Sequence, residues 1–151
     1  MPASPSPSVA QKPSLTLKRR LNAPAAKVFA AWTRPEQIVK WFGPSDTSKV
    51  TRAETDVRVG GRYTLVFNTE DGEEHHVSGV YREVRPNEKL QFTWAWQSMP
   101  ERESLVTMLV KPDGDGSILT LIHEQFFDED ARDRHEYGWN GCLDKLVLYL
   151  A

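Results

Sequence analysis

The chain has 151 residues, five of them tryptophan, and carries 19 Lys plus Arg against 21 Asp plus Glu, a formal charge of −2. That length fits one domain able to bury about two-thirds of its unfolded surface, and the charge excludes bulk attraction to nucleic acid or to an anionic membrane. The lone cysteine, Cys142, excludes an internal disulfide. No apolar run approaches the roughly 18–20 residues of a membrane span and none resembles a signal-peptide core, so a cytoplasmic protein is expected.

Residues 1–13 are rich in Pro, Ser and Ala, with almost nothing to bury. They are expected to form a mobile tail ahead of a domain over residues 14–151. Leu15, Leu17, Arg19 and Leu21 alternate with polar residues, which predicts a half-buried first strand. Lys18-Arg19-Arg20 within it reads as a solvated face. Asn22-Ala23-Pro24 then starts a helix, with Asn or Ala at the cap and Pro24 in the first turn. Val28, Phe29 and Trp32 fall on one face of it. Pro35 interrupts, because a proline disfavours the helical conformation in the residue before it. A second short helix over 35–41 follows and stops at Gly43-Pro44.

Six strand-like runs come next. Residues 47–57 form the first, and Gly60-Gly61 turns into 62–68. Asp71-Gly72 is a hairpin signal ahead of 76–84. Leu90, Phe92, Trp94 and Trp96 alternate strictly with Gln91, Thr93 and Ala95, which puts the four large side chains on one sheet face. Residues 104–110 pair with 118–126 through Pro112-Asp113-Gly114-Asp115-Gly116. Every connection is short, so neighbouring strands should be antiparallel.

Asp128 is placed as the N-cap of a last helix, with Glu129 and Asp130 at its positive end. Tyr137, Trp139, Cys142, Leu143, Leu146, Tyr149 and Leu150 mark its apolar stripe. Gly138 and Gly141 each cost about 1 kcal/mol relative to Ala inside a helix. Two such costs predict close approach of the helix backbone to a strand or to a bound molecule.

The order of these elements and their landmarks resembles one family. Those landmarks are Arg19, Ala23-Pro24, Trp32-Thr33-Arg34-Pro35-Glu36, Trp41-Phe42-Gly43-Pro44, Val59-Gly60-Gly61-Arg62-Tyr63, Gly79-Val80-Tyr81-Arg82-Glu83-Val84, Lys89-Leu90-Gln91-Phe92-Thr93-Trp94, Leu119-Thr120-Leu121-Ile122-His123-Glu124 and Gly138-Trp139. The chain is similar, over about 14–151, to the family named for the C-terminal domain of the activator of the 90-kDa heat-shock-protein ATPase. That AHSA-like family lies within the START-like (SRPBCC) superfamily. The resemblance implies an α+β helix-grip fold: a curved seven-stranded antiparallel sheet around a long C-terminal helix, with two short helices after strand 1 and a cavity between sheet and helix. It implies binding of lipids, sterols, polyketides or similar apolar molecules, with cyclase or dehydratase activity in some members. A thirteen-residue tail stands where the co-chaperone carries a further domain, so a chaperone partner is not expected. The family supplies no shared catalytic residues.

Candidate residues follow from this layout. Trp41, Phe42, Tyr81, Phe92, Trp94, Trp96, His123, Trp139, Cys142, Leu143 and Leu146 are expected to line an apolar cavity with a few polar groups, the usual form of a small-molecule site. His123 alternates with Leu121 and Leu119 and so points inward, either as a hydrogen-bonded structural residue or as a polar anchor. Glu83, two residues after Tyr81, is expected on the same face, either in a structural pair with an arginine or as a buried acid/base. No metal site is expected: His75 and His76 point to opposite faces, and His123-Glu124 lacks the second histidine of HExxH because position 127 is Phe. No cofactor is expected. The function favoured is non-catalytic binding of a small hydrophobic or aromatic molecule. The alternatives are a cyclase or hydrolase using Glu83 or His123, and an interaction module that docks on a chaperone or self-associates as a homodimer.

Overall fold

The computed structural model describes residues 12–45 and 47–151, so residues 1–11 of the expected tail lie outside the described residues. Ten elements follow in the order β1 (Leu15–Leu21), α1 (Ala25–Thr33), α2 (Pro35–Trp41), β2 (Lys49–Thr55), β3 (Arg62–Asn68), β4 (Glu74–Arg85), β5 (Lys89–Trp96), β6 (Ser104–Asp113), β7 (Gly116–Glu124) and α3 (Glu129–Tyr149). All strand pairs are antiparallel, in one curved seven-stranded sheet of order β1-β7-β6-β5-β4-β3-β2. Strands β2 to β7 form an uninterrupted run of hairpins. The consecutive strands β1 and β2 lie at opposite edges, so α1 and α2 carry the chain across the sheet. This is the expected helix-grip architecture.

The alternation in the sequence sets the faces. Phe92 and Trp94 are buried and Trp96 is half-buried, all on the side that packs on the helices. Opposite Tyr63 on β4 stands Gly79, where any Cβ would collide with the Thr93 carbonyl. The Tyr63 hydroxyl reaches across that gap and donates to the same carbonyl at 2.5 Å. Glycine is required there because two backbones and a phenol share the space.

Helix α3 closes the concave side with Trp139, Cys142, Leu143 and Leu146, all buried. Its N-cap is Asp128, whose carboxylate accepts from the Ala131 N–H at 2.8 Å. Lys145, on the same helix, donates to the carbonyls of Ser45 at 3.0 Å and of Phe42 and Ser48 at 3.5 Å, and so pins the α2–β2 loop to α3.

Four expectations are corrected. The first helix begins one residue later, and Pro24 itself is the N-cap, in an extended conformation and without a side-chain bond. Tyr137 leaves the apolar stripe: it is 80% exposed, because the buried face of α3 turns past it at Trp139. The close approach at Gly141 is neither to a strand nor to a ligand but to the Pro44 carbonyl of the α2–β2 loop. Gly138 meets only the Pro44 Cβ at an ordinary 3.7 Å. Finally, Glu83 does not share the face of Tyr81. A bulge between Tyr81 and Glu83 shifts the β4–β5 register, so Tyr81 turns inward and Glu83 outward.

Candidate functional site

The concave side is not filled evenly. A cleft of about 420 Å³ opens between the first half of α3 and the ends of strands β3 to β6. Six parts of the chain supply its wall. The α2–β2 loop gives Phe42 and Pro44, and the β3–β4 hairpin gives Phe67, Thr69 and His75. Strand β5 and the loop after it give Trp94, Trp96, Ser98, Met99 and Arg102, and β6 gives Ser104. The β7–α3 junction gives Phe126 and Phe127, and α3 adds Ala131, Arg134, His135, Gly138, Trp139 and Cys142. His135, Gly138, Trp139 and Cys142 sit at i, i+3, i+4 and i+7, one face of the helix. Gln125 adopts a left-handed φ of 69°, which turns the chain so that Phe126 is buried and Phe127 stands 57% exposed at the rim.

The aromatic rings hold one another at defined angles. Trp94 meets Trp96 edge-on at 5.5 Å and Trp139 at a 46° tilt at 5.2 Å, while His75 stacks on Phe67 at 5.3 Å. Such contacts stabilise by about 0.5–1.5 kcal/mol each beyond area burial, and they fix the ring planes that a guest would meet.

Two histidines lock this wall. The Trp139 indole N–H donates to His123 Nδ1 at 3.0 Å, so that nitrogen is bare and the ring proton is on Nε2. Nε2–H then donates to Ser104 Oγ at 2.7 Å, and that hydroxyl donates to the Trp94 carbonyl at 3.3 Å. In the same way the Trp96 indole N–H donates to His135 Nε2 at 2.9 Å, and His135 Nδ1–H donates to the Ala131 carbonyl at 2.7 Å. Burial holds the His123 ring well below the usual histidine pKa, helped by the nearby His135. Burial also lowers His135, against the pull of the Ala131 carbonyl. Both rings are neutral, with every nitrogen committed.

Two other candidate groups, Cys142 and Glu83, are equally quiet. Burial pushes the Cys142 thiol up to about 12, so it is not a thiolate. Glu83 sits on the surface with Lys89 at 3.0 Å and Arg85 at 2.6 Å, and the Lys89 hydrogen bond lowers its carboxyl pKa.

The expected cavity residues therefore separate into three groups. Phe42, Trp94, Trp96, Trp139 and Cys142 line the cleft. Trp41, Tyr81 and Phe92, together with Phe42, Trp94 and Trp139 from the other side, enclose a separate void of only about 30 Å³ beneath α1 and α2, too small for anything beyond a water. Leu143 and Leu146 border neither space and are fully buried core, and His123 stands behind the cleft wall rather than in it. Sequence reasoning left out Phe67, His75, Met99, Arg102, Phe126, Phe127, Arg134 and His135. Only His135 carried a usable signal, its helical spacing from Trp139 and Cys142.

Comparison with known proteins agrees with the helix-grip fold. The family model described as Activator of Hsp90 ATPase homolog 1-like protein matches residues 22–151. No curated protein matches the chain. Among solved structures, the chain is similar to protein CV1439 from Chromobacterium violaceum, at 27% identity and a TM-score of 0.82, covering 91% of this chain and 96% of that one. The AHSA1 protein SPO3351 from Silicibacter pomeroyi is 28% identical with a TM-score of 0.80, covering 91% and 97%. Protein NE0264 from Nitrosomonas europaea is 25% identical with a TM-score of 0.78, covering 91% and 93%. No helix among the described residues is long and apolar enough to cross a membrane.

Proposed function

The chain belongs to the family of Activator of Hsp90 ATPase homolog 1-like proteins, and from that premise we propose that it binds one small aromatic or apolar molecule in the cleft beside α3 and carries out no chemistry on it. The observation that carries this reading is the cleft itself. Its volume of about 420 Å³ falls within the range of small-molecule pockets, and its wall is aromatic with a few polar groups.

The polar groups argue for holding rather than reacting. A general base needs a free lone pair within reach of the proton it removes. The bare nitrogens of His123 and His135 are each occupied by an indole N–H, which cannot take a proton. Glu83 is outside, and the Cys142 thiol is protonated. What remains is a shaped aromatic slot with one further histidine, His75, stacked on Phe67 and bonded through Nε2 to Thr69 Oγ1.

Thermal denaturation with and without 1-naphthol, flavonoids and aromatic polyketides tests the proposal. A ligand held at 100 times its dissociation constant adds about 2.7 kcal/mol of stability. The control is Gly138→Leu, whose side chain enters the cleft from a helix position with room for a Cβ. That variant should fold and lose the response. No stabilisation by any compound, or an undiminished response in Gly138→Leu, overturns the proposal.

A further inference from the structure

The cleft is unbalanced in both charge and hydrogen bonding. Two arginines line it, Arg102 and Arg134, and not one Asp or Glu does, although the chain as a whole has more acids than bases. Arg102 lies with its guanidinium carbon 3.8 Å over the Phe127 ring at the rim. No carboxylate among the described residues reaches it. Arg134 has one exposed partner, Asp130 at 3.3 Å, bound through Nε.

Several hydrogen-bond acceptors in the wall are already engaged. Both His135 nitrogens are bonded, Ser104 Oγ accepts from His123 and donates onward, and Thr69 Oγ1 bonds Asp71 at 2.5 Å and His75 at 3.2 Å. Donors are in surplus. The Arg102 guanidinium lies over the Phe127 ring and bonds no acceptor among the described residues. A guanidinium without a carboxylate partner at the rim favours a guest bringing acceptors over one bringing donors.

We infer that the ligand is an aromatic anion, a planar ring system bearing a carboxylate, phenolate or similar acidic group, with the ring between the indoles and the anion against Arg102 and Arg134. The inference rests on the proposal that the cleft is a ligand site and adds the ligand's charge. A planar anion suits this rim because guanidinium groups bind carboxylates in a fork and are less strongly hydrated than an ammonium. The stack of Arg102 on Phe127 holds that fork in place while leaving its N–H edge open.

The test uses two fluorophores that share one ring system. 8-Anilino-1-naphthalenesulfonate is the anionic probe, and N-phenyl-1-naphthylamine is its neutral counterpart. The wild-type protein should bind the anion at least about tenfold more tightly, as charge-assisted hydrogen bonds imply, and added salt should erode that preference. Arg102→Gln should remove most of the preference by weakening the anionic probe far more than the neutral one, and Arg102→Lys should restore part of it. Arg102 is exposed, so neither variant should fail to fold. Equal affinities for the two probes, or a preference indifferent to Arg102→Gln, overturn the charge assignment and leave the ligand site standing. If neither probe binds, both readings fall.

Discussion

The carbonyl of Pro44 occupies the space that a Cβ on Gly141 would need, so the α2–β2 loop lies directly on the backbone of α3. Two segments nearly a hundred positions apart thus form a single joint, which Lys145 ties through three loop carbonyls. Trp139 and Cys142 project from this stretch of helix into the cleft, and Phe42 and Pro44 from the loop meet them there. The joint sets the width of that side of the site.

Alanine at the two helix glycines should therefore act in opposite directions. Gly138→Ala should raise stability by about 0.5–1 kcal/mol through helix propensity. Gly141→Ala should lower it by about 1–3 kcal/mol, as overpacking does, because the loop backbone must move. Urea denaturation of both variants checks this. Changes of the same sign would show that the loop yields freely.

The buried histidines give the fold an acid-sensitive window. In the unfolded chain His123 takes up a proton near its ordinary value of 6.5, and in the folded state it resists doing so. Its contribution is complete above that pH and is lost as pH falls below it. Between that value and the much lower folded one, stability should drop by about 1.4 kcal/mol per pH unit for this residue. His123→Asn should flatten the slope of unfolding free energy between pH 6.5 and 5, whatever it does to stability at pH 8. An unchanged slope would mean that the ring titrates freely in the folded protein.

Cys142 should be inert in the folded protein even though it lines the cleft. With the thiol raised from 9.0 to about 12, the thiolate fraction at pH 8 is lower by about a thousandfold than for a free cysteine. Ellman's reagent should react slowly in buffer and at once in urea. Rapid labelling of the native protein would contradict the packing of α3 against the loop.

Glu83→Gln should leave ligand affinity unchanged. The carboxylate is engaged with Lys89 and Arg85 on the outside of the sheet, and nothing at the cleft touches it. A probe titration that shifts in this variant would place Glu83 closer to the site than the β4 bulge allows.

Much of the architecture was legible in the residues. Strict alternation from Leu90 to Trp96 predicted one aromatic face, and that face packs on the helices. Asp128 ahead of two acids predicted the start of α3, and its carboxylate does cap the helix. The two short helices were legible through their prolines, with Pro35 opening the second. Where reading failed, the cause was local and physical. One extra residue at the β4 bulge reversed the side on which Glu83 lies, and no composition or period signals a single inserted residue. Tyr137 looked like a stripe residue because apolarity marks a candidate for burial and does not show which way the helix is turned.

The sequence by itself determined the strands, which side chains share a face, the cap of α3 and a family resemblance that implied the helix-grip fold, because each is carried by periods, turn residues and short motifs. The position of the open space was decided only in three dimensions. Side chains from the α2–β2 loop, β3, β4, β5, the β5–β6 loop, β6 and the β7–α3 junction converge on the first half of α3 and leave about 420 Å³ there, whereas under α1 and α2 the same kinds of residue close to about 30 Å³. Whether large side chains fill a gap or frame it depends on the relative placement of distant elements, a property no local pattern encodes. The pairing of each histidine with an indole was decided the same way, since His123 and Trp139 meet only when α3 folds onto β7.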